Sequence, residues 1–180
     1  MGKAYNSITP ALEEFIQKQH LFFVATAPES TDGLVNLSPK GQDSFRILDG
    51  NTVAYLDLTG SGIETVAHVR ENRRITIMFC SFEGAPKILR LYGKGTALVR
   101  DTPEYDALKA LFPSYINARA IIKIDVELIR DACGYAVPNY EYKGDRDVLD
   151  KSALKKGEEG LKLYRKEKNR TSLDGLPGLF

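Results

Sequence analysis

Tryptophan is absent from this 180-residue chain, and cysteine and histidine occur only twice each. Two cysteines, Cys80 and Cys133, are too few for a disulfide framework or a zinc cluster, so we interpret both as free thiols in a reducing compartment. Net charge is nearly absent as well, because 25 Lys or Arg residues are balanced by 24 Asp or Glu residues. This balance argues against a general nucleic-acid-binding protein, in which basic residues are in clear excess.

Long apolar segments are also missing. The longest clear run, residues 21–27, is far shorter than the ~20 apolar residues that a transmembrane helix needs. The first ten residues lack the apolar segment of a signal peptide. We therefore predict a cytoplasmic protein with no membrane partner, whose length suits one domain with a continuous core.

Short strand-like segments dominate the first 130 residues. Because these segments are joined by tight turns and interrupted by few helices, they predict a mainly β fold with peripheral helices, built as a small antiparallel barrel. Helices are predicted at 10–19, 63–72 and 101–111, and strands at 21–27, 34–38, 45–48, 52–56, 75–80, 87–99 and 120–128.

The composition changes near Lys143. Residues 143–170 contain ten Lys or Arg against six Asp or Glu and few apolar residues, which predicts a solvated helix over 151–168. The tail that follows, residues 172–180, has three leucines and a terminal phenylalanine spaced by glycine and proline. We expect it to dock on its own subunit or on a partner rather than to be solvated disorder. Residues 143–180 are therefore a basic helix and docking tail of the same domain as residues 1–142.

A glycine- and hydroxyl-rich turn, within the segment DLTGSGIET, precedes the second predicted helix. Unpaired backbone N–H groups and the helix dipole make such a helix start an anion site, suited to a phosphate. Ser61 and Glu64 also match a capping box, which would explain both residues without a ligand. The glycines and the additional hydroxyls are not explained by a cap. The candidate ligand-binding residues of this segment are Asp57, Thr59, Ser61, Gly62 and Thr65.

Two predicted strands carry further polar candidates. Asn36 and Ser38 share one face of a strand, and Lys40 follows with a charge that suits a phosphate. The alternative is a polar outer face that contacts only solvent. Arg90 lies within an apolar strand, either on an exposed face or lining a cofactor groove.

Neither histidine nor cysteine indicates a catalytic group. Cys133 has small neighbours and no histidine after it in the sequence, so we interpret it as a buried small residue rather than as a nucleophile. His68 lies within a predicted helix, where we expect a surface or packing role. No spacing typical of metal ligands occurs in the sequence, and we predict no metal site.

The order of these segments resembles the FMN-binding split-barrel family that includes pyridoxamine 5′-phosphate oxidase. The resemblance covers roughly residues 12–138. The resemblance implies that the true oxidase of this family has a substrate-binding Arg-x-His motif near its C-terminus. This sequence lacks that motif, so we expect it to belong to a branch distinct from the true oxidase. The segments that carry the resemblance are FVATA (23–27), NLSPKG (36–41), DLTGSGIET (57–65), the strand 75–79, CGYAVP (133–138) and LDGLPG (173–178).

The resemblance implies a six-stranded antiparallel split β-barrel that binds FMN at a homodimer interface. It places the flavin phosphate near Ser61, Gly62 and Thr65, with Lys40 and Arg90 as phosphate or ring contacts. It also implies that the flavin lies along Asn36 and Ser38, with Asp57 and Thr59 nearby.

Three functions are compatible with these features. The first is an FMN-dependent oxidoreductase acting on a small organic substrate, in which the flavin carries the electrons and no side chain is assigned a catalytic role. The second is a non-catalytic flavin, deazaflavin or haem carrier or sensor on the same barrel, because a fold does not determine a function. The third is a dimeric structural protein whose tail serves an interaction.

Overall fold

One antiparallel sheet organises the protein. The computed structural model describes residues 2–180, and within them every strand pairing is antiparallel. The elements are β1 (Ala4–Tyr5), α1 (Pro10–Gln17), β2 (Phe22–Thr26), β3 (Asn36–Lys40), β4 (Phe45–Asp49), β5 (Thr52–Leu58), α2 (Glu64–Glu71), β6 (Arg74–Cys80), β7 (Ile88–Val99), α3 (Pro103–Lys109), β8 (Ala118–Ala132) and α4 (Val148–Lys168).

The strands follow the order β3-β2-β6-β7-β8-β5-β4, and β1 pairs with β8 outside this path. The long pair β7 and β8 forms the centre, with a register shift between Tyr92 and Gly93. A Cβ atom at Gly93 would lie 2.2 Å from the carbonyl oxygen of Asp125, so only glycine fits this bulge. The sheet therefore bends at the position where the sequence has a glycine within a strand.

Alternation along the strands separates two apolar clusters. The main core collects inward side chains of the central strands, such as Val24, Ile77 and Leu91, together with residues of α1 and α2. A smaller cluster forms on the opposite face of β5 and β8, where α3 and the segment after it cover Ile121. Each fully buried aliphatic side chain contributes about 1.5–3 kcal/mol to the free energy of unfolding. Because β5 and β8 have side chains in both clusters, packing stabilises these two strands from both faces.

The predicted mainly β, antiparallel fold with peripheral helices is confirmed, and helices α1 and α3 begin at, or within two residues of, their predicted starts. Helix α1 begins at Pro10 after Thr9, whose hydroxyl accepts a hydrogen bond from the Leu12 amide at 3.4 Å. Helix α3 begins at Pro103 after the same kind of cap by Thr102. The described residues form eight strands, whereas the sequence patterns predicted seven and the family resemblance implied a six-stranded barrel. The strand that the patterns missed, β1, has only two residues, too few for a pattern of alternation.

The predicted capping box at α2 is wrong. The helix begins at Glu64 with Ile63 as its N-cap residue, and no side chain caps it. Ile63 is 1% exposed and belongs to the main core, so burial of this side chain determines where the helix starts. Ser61 is exposed two residues upstream, and Glu64 accepts a hydrogen bond from the Leu173 amide instead.

The chain after β8 returns to the start of α2. Helix α4 begins three residues before its predicted start and is interrupted at Gly157, where φ is 64°. The tail, residues 172–180, folds back so that the amide of Leu179 donates to the carbonyl of Asn169 at 2.9 Å, and Leu179 packs on the main core. Of the two docking alternatives, the structure therefore has the tail on its own subunit.

Cys133 is exposed, so its interpretation as a buried residue is wrong. The neighbouring Gly134 makes the close contact instead, because a Cβ atom there would lie 2.8 Å from the Lys87 nitrogen. Both cysteines are free thiols, as predicted. No helix between residues 2 and 180 combines the length and apolarity needed to cross a membrane.

Candidate functional site

A polar layer lies on the core face of β3, opposite the end of β5 and the start of α2. Alternation along β3 turns Asn36, Ser38 and Lys40 inward, whereas Leu37 and Pro39 are exposed. The inward side chains bond to residues of other elements, so this face of β3 does not contact solvent alone. The polar layer comprises Thr26, Asn36, Ser38, Lys40, Asp57, Thr65, His68 and Arg119.

Asp57 is the centre of the charged half of the layer. Its carboxylate is fully buried and lies between two cations, Lys40 Nζ at 3.0 Å and Arg119 Nε at 2.7 Å. Burial alone would raise the pKa of Asp57, but the charges and hydrogen bonds of Arg119 and Lys40 outweigh it and lower the pKa from 3.8 to about 2. Asp57 is therefore an ionised, doubly paired group at neutral pH and not a proton donor.

Arg119 is a member of the layer that the sequence analysis did not identify. It stands in a β-bulge, since Ala118 pairs with Leu58 and Ala120 pairs with Asp57. A bulge re-aims the side chain of its extra residue, here towards Asp57. Its guanidinium also donates from Nη1 to the Gly60 carbonyl at 3.3 Å. The one sequence signal was a charged residue directly before the apolar start of the predicted strand 120–128.

Asn36 is the centre of the neutral half. Its Nδ2 donates to the hydroxyls of Thr26 and Thr65, each at 3.0 Å, and its Oδ1 accepts from the Ser38 hydroxyl at 2.8 Å. Thr26 in turn is 3.0 Å from Nδ1 of His68. This chain of neutral groups connects β3 with β2 and α2.

His68 links the neutral half to the tail. The imidazole is fully buried, which confirms its expected packing role, and its Nε2 lies 3.4 Å from Oδ2 of Asp174. The other carboxylate oxygen of Asp174 accepts from the Leu34 amide at 3.0 Å. The tail is thus bonded both to α2 and to the loop before β3.

The β5–α2 turn, residues 59–63, is fixed by donations from Thr59 and by the bonds that the Gly60 and Ser61 carbonyls accept. Thr59 donates from its amide and its hydroxyl to the Asn117 carbonyl, at 2.8 and 2.7 Å. The Nδ2 atom of Asn169 donates to the carbonyls of Gly60 at 2.9 Å and Ser61 at 3.4 Å. The bonding partners, Asn117 and Asn169, are buried beneath the turn, whereas Ser61 and Gly62 are exposed to solvent.

The β5–α2 turn suits a phosphate group on two counts. Helix α2 has no side-chain cap, so the amides of its first turn have no capping oxygen. The space beside Gly60 is open, because a Cβ atom there would meet no atom within 4 Å. The Glu64 carboxylate lies beside Gly62 and would have to turn away to admit an anion.

Arg90, unlike the other candidate residues, lies outside both the polar layer and the β5–α2 turn. Its neighbours Leu89 and Leu91 are fully buried in the main core, so the Arg90 side chain is on the outer face of the sheet, away from the polar layer. The structure thus brings Asn36, Ser38, Lys40, Asp57 and Thr65 together in the layer and puts Thr59, Ser61 and Gly62 beside it in the turn.

A large cleft is separate from both the layer and the turn. It has a volume of about 1180 Å³ and lies between α1 and the segment 138–142 on the outer face of β2. His20 and Tyr142 stack at its wall with ring centroids 3.6 Å apart. None of the nine candidate residues lines this cleft.

Comparisons with known proteins agree with this architecture. The sequence model of the pyridoxamine 5′-phosphate oxidase family matches residues 8–133. The pyridoxamine 5′-phosphate oxidase family protein ustO of Aspergillus flavus is 39% identical over 194 residues, covering 97% of this chain and 77% of ustO.

Two solved structures share the fold. The Group A Streptococcus protein HupZ is 25% identical with a TM-score of 0.55, covering 74% of this chain and 99% of HupZ. A Clostridium acetobutylicum protein related to general stress protein 26 of B. subtilis, of the pyridoxinephosphate oxidase family, has a TM-score of 0.52 at 15% identity, over 73% of this chain and 90% of its own. With the family match over residues 8–133, these findings establish that this chain belongs to the pyridoxamine 5′-phosphate oxidase family.

Proposed function

We propose that this protein is an FMN-binding flavoprotein, built as a split-barrel homodimer, that acts as an oxidoreductase on a small organic substrate. The observation that carries the proposal is the uncapped start of α2 directly after the exposed Ser61 and Gly62 of the β5–α2 turn, in a chain of the pyridoxamine 5′-phosphate oxidase family. A helix start of this kind attracts phosphate through its unpaired amides and its dipole. FMN supplies electron transfer when it is bound.

The residues of this chain would bind and orient the flavin. The amides of Ser61 and Gly62 would face the phosphate, and the polar layer would hold β3 and α2 at a fixed distance. Lys40 has a side chain that is 22% exposed, so its charge reaches the edge of the layer. Asp57 is already neutralised by two cations, and it would therefore stabilise the site without exchanging protons with a substrate.

Exposed apolar side chains support a second copy of the chain as the partner. Leu34, Val35 and Leu37 lie in or just before the edge strand β3, and each is more than half exposed. Leu173 of the tail, which is 79% exposed, lies beside the same loop through the bond between Asp174 and the Leu34 amide. Such clustered apolar groups at a sheet edge are typical of an interface between protein chains.

Riboflavin provides the test of the phosphate site, since it differs from FMN only by the phosphate. We expect the unaltered protein to bind FMN at least tenfold more tightly than riboflavin. Ser61→Asp should bring the affinity for FMN down to that for riboflavin, because it adds a carboxylate where the phosphate would bind. The same carboxylate is favourable at a helix N-terminus, so the fold should not lose stability.

Ser61→Asn is the matched neutral control and should keep the preference for FMN. Equal affinities of the unaltered protein for FMN and riboflavin would contradict the phosphate site. Failure to bind either flavin, even on reconstitution, would contradict the whole proposal.

A flavin carrier without turnover is the second candidate. It is favoured by the polar layer, in which Asp57 and His68 are already bonded to neighbouring side chains and buried. Mixing the FMN-loaded protein with a nicotinamide donor separates the two functions. Bleaching of the flavin absorption within seconds supports an oxidoreductase, and an unchanged spectrum with every donor supports a carrier.

A further inference from the structure

Asn169, the C-cap residue of α4, reaches the β5–α2 turn from the protein interior. Its side chain is fully buried, and its Nδ2 donates to the carbonyls of Gly60 and Ser61 at 2.9 and 3.4 Å. Its Oδ1 accepts from Nη1 of Arg119 at 3.0 Å. The amide therefore connects the turn to the buried charge pair of the layer.

Peptide geometry gives these bonds a directional effect. In a trans peptide the carbonyl of one residue and the N–H of the next point in opposite directions within one plane. A Gly60 carbonyl held inward by Asn169, with a longer second bond from Arg119 at 3.3 Å, therefore turns the Ser61 N–H outward. By the same geometry, the bond to the Ser61 carbonyl turns the Gly62 N–H outward.

The tail keeps Asn169 in this position. The Asn169 carbonyl accepts from the Leu179 amide at 2.9 Å, and the next carbonyl, that of Arg170, accepts from the Gly178 amide at 2.7 Å. A Cβ atom at Gly178 would lie 2.3 Å from the Asn169 carbonyl oxygen, so the approach requires glycine there. Leu179 anchors the arrangement in the main core.

We propose that Asn169 is a positioning residue for phosphate binding, and that the docked tail controls the phosphate affinity of the β5–α2 turn through it. The inference rests on the proposed function, because the bound phosphate is that of FMN. Asn169 does not touch the ligand. It holds two peptide groups in the orientation that exposes their N–H donors.

Affinities for FMN and riboflavin test this role. Asn169→Leu, which is neutral and similar in size, should weaken FMN binding at least tenfold and change riboflavin binding less than twofold. Asn72→Leu is the matched control, because the Asn72 side chain makes comparable bonds at the other end of α2, to the Ala27 carbonyl and the Arg74 amide. The control should leave the ratio of the two affinities unchanged. An unchanged ratio in Asn169→Leu would overturn the proposal, as would an equal loss for both flavins.

Hydrogen exchange of the unaltered protein provides a second test that needs no variant to fold. Coupling between two sites is reciprocal, so bound phosphate must also stabilise the docked tail. We expect FMN at saturation to slow exchange of the Gly178 and Leu179 amides at least threefold more than riboflavin at saturation does. Equal protection by both flavins would overturn the role of the tail even though FMN binds. Equal affinity for both flavins would instead remove the phosphate site on which the inference rests.

Discussion

The two halves of the polar layer join the same elements with different chemistry. The charged half places one buried carboxylate, Asp57, between Lys40 and Arg119. In the neutral half, Ser38 donates one hydrogen bond to Asn36, which donates to the hydroxyls of Thr26 and Thr65. Loss of one partner from a buried ion pair leaves an uncompensated charge, whereas loss of one neutral hydrogen bond leaves groups that keep other partners. The charged half should therefore dominate the stability of the layer.

Arg119→Leu is expected to have the largest effect. The substitution leaves Asp57 buried with one partly exposed cation, so the free energy of unfolding should fall by about 3–5 kcal/mol. Urea unfolding followed by circular dichroism measures the change.

The double variant Asp57→Leu/Arg119→Leu serves as the control, since it removes the buried charge as well. It should recover at least half of the loss, because Lys40 can reach water. A loss below about 1 kcal/mol in Arg119→Leu would show that the pair is not the main support of the layer.

Acid should weaken the charged half by a smaller amount. The pKa of Asp57 is about 2 in the folded protein and 3.8 for an ordinary Asp side chain, the value expected in the unfolded chain. Its contribution is therefore present above pH 4 and is lost as the pH falls towards 2. The difference corresponds to about 2 kcal/mol of unfolding free energy at neutral pH. Unfolding free energies of the unaltered protein and Asp57→Asn between pH 5 and 2 measure it. The stability of the unaltered protein should fall more steeply, and parallel curves would contradict the assignment to Asp57.

Local signals explain which elements could be predicted. At the starts of α1 and α3 a capping threonine is followed by proline, and such starts depend only on neighbouring residues. The start of α2 was predicted wrongly because burial of Ile63, a tertiary effect, overrides the match to a capping box at Ser61. The strand β1 has too few residues to produce a pattern.

The candidate site likewise contains residues that a local pattern predicts and residues that only the tertiary structure brings together. Alternation along β3 correctly grouped Asn36 and Ser38 on one face. Arg119 and Asn169 could not be identified, because they meet only through a bulge and the return of α4 across a separation of 50 residues. Arg90 lies on the outer face of the sheet because its two neighbours, Leu89 and Leu91, face the core.

Ser38→Ala should have the smallest effect of these variants and tests whether the halves are independent. It removes one donation to Asn36 and should cost less than about 1 kcal/mol of unfolding free energy. Lys40→Met removes one cation from Asp57 and shares no partner with Ser38. The losses of the two single variants should therefore add in the double variant within about 0.5 kcal/mol. An interaction energy well above this value in the urea unfolding cycle would mean that the two halves act as one network, and the larger effect of Arg119→Leu could then no longer be attributed to its charge alone.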